Sequence, residues 1–509
     1  MRTLPCGDSA LLVDTGDALG LYAALADSPP AGVTDLVPAS GTLLVRFDPS
    51  VVSCAALARQ LESVEPVEPA AGGDDLVTVP VRYDGDDLAE VARVTGLGED
   101  GVVEAHTAAD YVVAFSGFAP GFGYLTGLDP RLRLPRRETP RVRVPAGAVG
   151  IAGEFTGVYP RSSPGGWLLL GSTTTPLWDA DRTPPALLRP GTRVRFVQVD
   201  SLDPAPSSTV DDSTPAAGGV EVVRCGPLAT VQDQGRPGYG ALGVGRSGAA
   251  DAGSAALANR LVGNEERAAC LELTLGGTEL AFRETTLVAV TGAPCPLDRD
   301  GYGEAMNSPF TVPAGQQLTV GTPGAGLRTY VALRGGVDVA PTLGSRSTDV
   351  LAGLGPPVLS PGDVLPIGTD HSGPPPPVAV APVPAPTEGD LLVRVVPGPR
   401  ADWFAEEALD TLLSGRYEVT AESNRVGVRL SGPVLTRERT EELPSEGMVA
   451  GSIQVPPSGQ PVLFLADHPV TGGYPVIAVV RTKDLATIAQ ARPGQAIVFR
   501  VAQRSAAAV

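Results

Sequence analysis

The sequence has 509 residues and a formal net charge of −19 at pH 7. At about 150 residues per domain, this length predicts three or four domains. The acidic charge disfavours nucleic-acid binding, which normally uses a basic surface. Because Gly (62) and Pro (51) are frequent and charged residues make up only 19%, the composition favours a mainly β protein and disfavours a coiled coil.

Apolar runs are short, and none approaches the roughly 18 residues that cross a membrane. The first residues also lack the basic and apolar regions of a signal peptide. We therefore expect a cytoplasmic protein without membrane contact. The five cysteines are widely spaced and form no CxxC motif, so we expect reduced, mostly buried thiols at Cys6, Cys54, Cys225, Cys270 and Cys295.

Lysine is almost absent, and Lys483 is the single one in the sequence. A Walker phosphate loop needs a Lys that follows a Gly-rich loop, and Lys483 lacks such a loop. A biotin carrier and a pyridoxal phosphate enzyme also need a modifiable Lys, and no supporting motif surrounds Lys483. The sequence thus predicts no protein-bound biotin, and any use of ATP must follow another route or involve a partner.

Changes in composition divide the chain into two halves, separated by a flexible, polar stretch at 201–219. Hydrophobic periodicity predicts an α+β domain at the start, and Gly/Pro punctuation predicts β-barrel or sandwich domains after it. The predicted order is a small α+β domain (1–75), a β-barrel (76–200), the linker (201–219), a β-rich domain (220–372), a Pro-rich linker (373–390) and a second β-barrel (391–509).

A repeated pattern links the two halves. Residues 142–160 and 453–475 each contain V-P, a Gly turn, a strand and a closing Y-P, and P-G followed by a strand comes later, at 190–196 and 493–499. We interpret this pattern as a repeated β-barrel unit.

Candidate binding residues in the first half lie on two Gly-rich loops. The first loop places aromatic rings around a Pro-Gly turn, which predicts either a ligand-facing wall or a buried hairpin corner. The second offers a cation and bare backbone amides for an anion, or is simply a tight turn. The candidates are Phe118, Pro120, Gly121, Phe122 and Tyr124 on the first loop, and Arg161, Gly165 and Gly166 on the second.

The most polar stretch, 226–264, contains a GxGxxG match, but no helix opens at that motif, which excludes a dinucleotide site. The stretch carries carboxylates, amides and a guanidinium suited to a small polar or phosphorylated ligand. Its candidates are Gln232, Asp233, Arg236, Asp251 and Asn259. The first carboxylate, Asp233, is a candidate general base. The alternative is a structural ion pair together with a helix cap at Asp251.

The last domain adds a further polar set: Asn424, Arg425, Glu446, Gln454, Asp467 and His468. Asp467 and His468 are candidate catalytic groups, although adjacent strand residues point to opposite faces and need a turn to cooperate. No His, Cys and Asp cluster has metal-ligand spacing and no nucleophile elbow is present, so we predict no protein-bound metal. Magnesium is expected only as part of a nucleotide substrate.

Taken together, these motifs carry a family resemblance. The first half, with FAPGFGYL, VRVPAGAVGIAGEFTGVYP and SPGGWLLLGST, resembles the B subunit of bacterial 5-oxoprolinase, also named allophanate hydrolase subunit 1 or histidine-kinase inhibitor. The second half, with QDQGRPGYGALGV, GAADAGSAALAN, SNRVGVRLSG and GSIQVPPSGQPV, resembles the C subunit of the same enzyme. Related modules form the carboxyltransferase region of urea carboxylase. The resemblance implies cyclophilin-like β-barrels behind a small α+β domain.

The resemblance also implies ATP-dependent opening of 5-oxo-L-proline to L-glutamate with a separate 5-oxoprolinase A subunit, and Mg-ATP as a substrate. Phosphorylation of the lactam oxygen would make it a leaving group, and Arg and backbone amides would stabilise the anionic charge. We therefore assign Arg161, Arg236 and Arg425 to anion binding, Asp233 to base or metal contact, and 118–124 to a ligand-facing wall. A homo-oligomer is left open.

Two short runs depart from the family pattern. Glu154-Phe155-Thr156-Gly157 replaces a Gln-Thr-Gly run, and residues 467–473 replace an Asp-Arg-Gln-Thr-Thr-Gly-Gly run. These changes alter local anion sites and leave the substrate open. Two other classes stay as alternatives: a component of a biotin-dependent, urea-type carboxylase, and a non-catalytic regulator of a histidine kinase.

Overall fold

The computed structural model describes residues 1–68, 76–204, 218–377 and 379–502. The predicted linker at 201–219 therefore lies mostly outside the described residues, as does the end of the predicted first domain. No helix of the described residues has both the length and the apolar character needed to cross a bilayer.

The N-terminal unit is a four-stranded antiparallel sheet with two helices, as the α+β prediction requires. Asp17 and Ser53 cap the two helices by accepting hydrogen bonds from Gly20 N and Ala56 N. The sheet order is β1-β2-β4-β3. The elements are β1 (Arg2–Pro5), β2 (Ala10–Asp14), α1 (Ala18–Ala26), β3 (Val33–Pro38), β4 (Thr42–Phe47) and α2 (Cys54–Glu62).

Strand β2 is buried on both faces, because successive side chains of a strand point to opposite sides. Leu11 and Val13 pack with the two helices of the N-terminal unit. Ala10 and Leu12 instead join an apolar cluster with Val470 and other residues of the last domain. The first unit of the chain is therefore packed against the last.

The second unit is a seven-stranded sheet of order β12-β9-β10-β7-β6-β13-β5, with a two-stranded ribbon of β8 and β11. A single bridge between Arg82 and Ser172 links its two edges. The elements are β5 (Leu76–Val81), α3 (Leu88–Thr95), α4 (Gly98–Thr107), β6 (Tyr111–Ser116), β7 (Gly123–Thr126), β8 (Arg141–Val144), β9 (Ala148–Ala152), β10 (Phe155–Val158), β11 (Ser163–Gly165), β12 (Leu168–Ser172) and β13 (Arg193–Gln198).

The third unit consists of two sheets that share one apolar core, with a helix against the second sheet. The sheet orders are β20-β19-β22-β17-β14-β24 and β15-β16-β23-β18-β21. The elements are β14 (Val220–Arg224), β15 (Leu228–Gln232), α5 (Ala252–Leu261), β16 (Cys270–Thr274), β17 (Thr278–Phe282), β18 (Thr286–Gly292), β19 (Leu297–Arg299), β20 (Tyr302–Glu304), β21 (Pro309–Val312), β22 (Gln317–Val320), β23 (Arg328–Leu333) and β24 (Val364–Leu365).

The fourth unit is a closed barrel of order β25-β32-β29-β30-β27-β26-β33, with a ribbon of β28 and β31. The elements are β25 (Leu391–Pro397), α6 (Ala408–Ser414), β26 (Tyr417–Val419), β27 (Gly427–Ser431), β28 (Glu446–Gly447), β29 (Ser452–Gln454), β30 (Val462–Phe464), β31 (Thr471–Gly472), β32 (Val476–Val480), α7 (Leu485–Ala489) and β33 (Ala496–Val501).

The predicted barrel repeat is confirmed, because β5 to β13 and β25 to β33 run in the same order and make the same neighbours. In each barrel the first strand pairs in parallel with the last. The proposed V-P alignment was wrong by one strand. Pro145 follows β8, whereas Pro456 follows β29, the equivalent of β9. V-P and Gly turns suit many strand corners, so they do not fix which corner is which.

A buried histidine joins the helices of the first barrel to its sheet. His106 Nε2 lies 2.9 Å from the Thr156 hydroxyl, and His106 Nδ1 lies 2.7 Å from the Tyr83 hydroxyl. The Thr156 hydroxyl donates to the Gly150 carbonyl at 3.1 Å, so its oxygen accepts the proton of Nε2. Burial lowers the pKa of His106 to about 3, which keeps the ring neutral.

Candidate active site

The two halves meet around the loop 240–248, which we call the junction loop. The Asp35 carboxylate of the N-terminal unit accepts from Gly240 N at 3.2 Å. From the first barrel, Gly121 N donates to the Leu242 carbonyl at 3.2 Å. A side chain at Gly245 would lie 3.2 Å from the His468 carbonyl of the last barrel. The N-terminal unit and both barrels therefore contact the junction loop, which belongs to the third unit.

A buried ion network holds the far side of the junction loop. Arg425 is fully buried and donates to both oxygens of Asp467 at 2.9 Å, to the Gly248 carbonyl at 2.7 Å, and to Glu272. Burial opposes its charge, but Glu272 and Asp467 raise the pKa of Arg425 further above its ordinary value. Arg425 thus fastens the last barrel to the third unit and has no free face for a ligand.

Glu272 completes this network from strand β16. It accepts from Tyr330 Oη at 2.8 Å and from Ala250 N at 2.9 Å, and Arg328 Nε lies 3.4 Å away. Burial raises the pKa of the Glu272 carboxyl, but Arg425 and Arg328 outweigh that effect and hold it below its ordinary value. Glu272 therefore remains charged as the main counter-ion of the network.

Beside this network lies a second group of charged side chains, in which some N–H groups have no hydrogen-bond partner within the described residues. The Arg236 side chain is fully buried; it donates to the Ser347 carbonyl, whereas its Nη1 has no hydrogen-bond partner within the described residues. Nη1 lies 3.9 Å from Asp349 Oδ2. Arg161 of the first barrel donates to the Leu351 carbonyl, and its Nε likewise has no partner in the described parts of the chain. Both guanidinium groups therefore retain an unused donor close to the Asp349 turn.

Asp349 itself is held by its own turn. Its Oδ1 accepts from Leu351 N at 3.0 Å and from Ala352 N at 2.8 Å. Burial, followed by the nearby Asp467 carboxylate, raises the pKa of Asp349 to about 6. A carboxyl with such a pKa changes its charge near neutral pH, which suits a general base.

Asp233, our predicted base, has a different environment. Its carboxylate accepts from Gly235 N, Ser345 Oγ and Arg346 N at 2.7 Å each, and from the Ser347 hydroxyl. It borders an open groove of about 810 Å³ on the third unit. With four donors already bound, Asp233 mainly orders the 345–347 loop.

Asp467 and His468 have different hydrogen-bond partners. The Asp467 carboxylate is used by Arg425 and by Ser247 Oγ, which donates at 2.7 Å. His468 Nδ1 lies 2.7 Å from the Pro469 carbonyl, so Nδ1 carries the proton. Burial, with Arg46 nearby, lowers the pKa of His468 to about 4. His468 is therefore neutral at physiological pH, with its Nδ1 used by the Pro469 carbonyl.

The aromatic loop of the first barrel is mostly a buried corner with one exposed ring. Phe122 and Tyr124 are buried, and their rings pack edge to face at 5.0 Å. Phe118 is 39% exposed and has φ +64°, which is uncommon for a residue with a side chain. The buried-corner interpretation describes Phe122 and Tyr124, and the ligand-facing wall stays a prediction for Phe118. Pro120 and Gly121 form the turn that contacts the junction loop.

Gly165 and Gly166 shape the second loop and do not face the junction. A Cβ on Gly165 would lie 2.4 Å from Tyr159 Oη, so only glycine fits beside that ring. The Gly166 carbonyl accepts from Arg137 N at 2.9 Å. This arrangement supports the tight-turn interpretation at these two positions.

Three polar candidates near the junction have structural partners. Gln232 donates to Thr348 O at 2.9 Å, and Asn259 donates to Ala268 O at 2.8 Å. Asp251 caps helix α5 by accepting from Ser254 N at 3.0 Å, and it also accepts from Gln490 at 2.9 Å. Asp251 is therefore the helix cap that the sequence offered as the alternative to a ligand contact.

The last three candidates lie apart from the Asp349 group. Asn424 closes a turn by accepting from Val426 N at 2.8 Å. Glu446 is buried against Arg400 at the contact with the N-terminal unit. Gln454 donates to Tyr474 O at 2.9 Å. All three shape loops or contacts between units.

The described residues bring no three His, Cys, Asp or Glu side chains into a metal-binding arrangement. Four residues of this region were not predicted from the sequence: Asp349, Glu272, Arg328 and Tyr330. Asp349 is a lone Asp in a Ser/Thr-rich loop without a local motif. The other three residues lie on strands that are distant in sequence from Arg425. Their only sequence signal was the presence of charged residues within otherwise apolar strands.

Both halves of the chain match a known protein family. Residues 242–501 match the family described as carboxyltransferase domain, subdomain A and B, and residues 1–188 match subdomain C and D. The chain is 37% identical to the 5-oxoprolinase C subunit of Escherichia coli K12 over 55% of this chain and 90% of that protein. It is 51% identical to the 5-oxoprolinase B subunit of E. coli O157:H7 over 28% of this chain and 65% of that protein.

A third relative is the urea amidolyase of Lachancea kluyveri, 34% identical over 55% of this chain but only 17% of that protein. Among solved structures, TTHA0988 aligns with a TM-score of 0.86 and 39% identity, covering 96% of this chain and 99% of that one. The whole arrangement of four units is thus shared with a known structure. The chain belongs to the carboxyltransferase-domain family, and it joins a half similar to the B subunit of 5-oxoprolinase to a half similar to the C subunit.

Proposed function

We propose that this chain is the fused B and C component of an ATP-dependent 5-oxoprolinase, which acts with a separate A subunit to convert 5-oxo-L-proline to L-glutamate. The relatives named as B and C subunits support this proposal, because together they span both halves of the chain. ATP with magnesium would enter as a substrate.

The observation that carries the proposal is the group formed by Arg161, Arg236 and Asp349. Arg161 comes from the B-like half, and the other two come from the C-like half. Each guanidinium retains an unused N–H, and the Asp349 carboxyl beside Arg236 has a pKa raised to about 6. Opening a phosphorylated lactam requires anion stabilisation beside a base that activates water. We therefore assign the base to Asp349 in place of Asp233.

The test is glutamate release from 5-oxo-L-proline with Mg-ATP, measured for the chain alone and after addition of a matching 5-oxoprolinase A subunit. We expect glutamate and ADP to form together, and only in the mixture. Asp349→Asn should lower kcat by about 100-fold or more, whereas Asp233→Asn should mainly lower stability. Absence of turnover with a partner of verified activity would overturn the proposal.

The similarity to urea amidolyase supports a second candidate, the carboxyltransferase component of a urea-type carboxylase. This reaction needs a biotin carrier and a biotin carboxylase on other chains, because Lys483 lies at a helical turn without a carrier motif. Urea-dependent ATP consumption, measured with those two partners present, would favour this candidate. Turnover of 5-oxo-L-proline without biotin would exclude it.

A further inference from the structure

A second cavity lies between the two barrels, away from the Asp349 group. It has a volume of about 280 Å³, which suits a ligand of the size of an amino acid. Its walls come from three units: Ser40 of the N-terminal unit, 135–136 and 152–155 of the first barrel, and 442–445 of the last barrel. We call it the inter-barrel pocket.

The pocket carries both signs of charge. Arg136 Nη1 lies 3.0 Å from Glu442 Oε1, and these side chains are 45% and 66% exposed. Glu154, also exposed, lines the same pocket. An ion pair so open to water contributes little to stability. Glu442 can therefore yield its place on Arg136 to another carboxylate at little cost.

The base of the pocket is aromatic and firmly held. The Tyr124 and Phe155 rings pack edge to face at 5.6 Å. Burial raises the pKa of Tyr124, and the nearby Arg136 and Ser445 side chains oppose that rise. The loop 442–445 is fixed because Ser40 N donates to the Ser445 carbonyl at 3.0 Å and Leu443 is buried. The pocket is thus preformed, and its exchangeable part is the Arg136–Glu442 pair.

We propose that the inter-barrel pocket binds a small acid that carries a carboxylate next to an N–H group. The carboxylate replaces Glu442 on the Arg136 guanidinium, which can hold it through two hydrogen bonds. Glu154 accepts the N–H, and the apolar part of the ligand lies on Phe155. Both a lactam acid and a free α-amino acid have this chemistry. The choice of 5-oxo-L-proline as a probe rests on the proposed function, whereas the pocket chemistry does not.

Calorimetric binding of 5-oxo-L-proline and of L-glutamate to the full chain tests the inference. Arg136→Gln should weaken binding about tenfold or more, because it removes the cation. Glu442→Gln should strengthen binding several-fold, because it removes the competing carboxylate. Arg131→Gln breaks an exposed ion pair with Asp129 on the same barrel and is the matched control, expected to leave the Kd unchanged.

The opposite signs separate ligand binding from a structural role. If the ion pair were merely structural, the Arg136 and Glu442 variants would shift the Kd in the same direction, and that result would overturn the inference. A Kd that does not depend on Arg136 would overturn it as well. 2-Pyrrolidone, a lactam without a carboxylate, should not bind measurably.

Glu154→Gln identifies the source of the ligand. It should weaken binding of L-glutamate, because the ligand ammonium loses its counter-charge. It should not weaken binding of 5-oxo-L-proline, because the Gln amide oxygen still accepts from the lactam N–H. Failure of the two proposals is also distinguishable. Arg136-dependent binding without turnover overturns only the proposed function, and turnover without Arg136-dependent binding overturns only this inference.

Discussion

Each barrel has nine strands, and the strands of both barrels have the same pattern of neighbours. The corners that lie near the third unit nevertheless differ in their chemistry. In the strand ladders, Val113 pairs with Leu125 in the first barrel as Val419 pairs with Leu430 in the last. The loop that leads into Leu125 carries Phe122, and the loop that leads into Leu430 carries Arg425. The corner of the first barrel is thus built on an aromatic cluster, and the equivalent corner of the last barrel on a fully buried guanidinium.

This difference shows that the same backbone corner can be stabilised by an aromatic cluster or by a buried ion network. The two kinds of corner should differ in their sensitivity to mutation. An aromatic corner is stabilised by apolar burial, which falls gradually as atoms are removed. A buried ion network loses most of its value when one member is removed, because the remaining charges stay buried without a partner. We expect the last barrel to be the more sensitive of the two at this corner.

The largest expected effect comes from Arg425→Met. It leaves Glu272 and Asp467 without their shared cation, and we expect a loss of about 3–5 kcal/mol in the free energy of unfolding. Thermal and urea unfolding, followed by tryptophan fluorescence, measure it. Arg416→Met, which breaks an exposed pair with Asp390 on the same barrel, should cost less than about 1 kcal/mol. Equal losses would contradict the comparison.

A smaller effect is expected from Thr156→Val in the first barrel. By register, Pro461 occupies this position in the last barrel, so a side chain without a hydroxyl fits the strand. In the first barrel the change leaves the His106 Nε2 proton without an acceptor, at a cost of about 1–3 kcal/mol. Thr126→Val, at a half-buried position on the neighbouring strand, is the control. A neutral Thr156→Val variant would mean that the histidine contact is dispensable.

The smallest effect is a change in pH dependence caused by Asp349→Asn. The pKa of Asp349 is about 6 in the folded protein against an ordinary value of 3.8. The folded state therefore holds a proton that the unfolded state releases, and stability falls as pH rises from about 4 to 6. The variant should lose this contribution, about 1–2 kcal/mol, so its Tm should fall less over that range.

The exposed Asp181→Asn is the matched control, because it should reproduce the wild-type pH profile. An Asp349→Asn profile that is parallel to the wild type between pH 4 and 6 would show that Asp349 is already ionised at pH 4.

The sequence predicted the architecture better than the site. Hydrophobic periodicity and Gly/Pro punctuation are local signals, so the α+β unit and the repeated barrel were predictable. The cap role of Asp251 was also visible, because it depends on the residues that follow. The surroundings of Asp233 and Asp349 were not predictable, because most of the donors to Asp233 and the carboxylate near Asp349 come from segments more than 100 residues away.

Strand β2, which is buried on both faces, makes the two halves mutually dependent. Ala10, Leu12 and Leu44 face Val449 and Val470 of the last barrel, so separating the halves would expose apolar surface on both. The covalent link between the B-like and C-like halves is then a means of fixing their ratio at one to one, while non-covalent packing holds them in place. Either half produced alone should be prone to aggregation until it meets its counterpart.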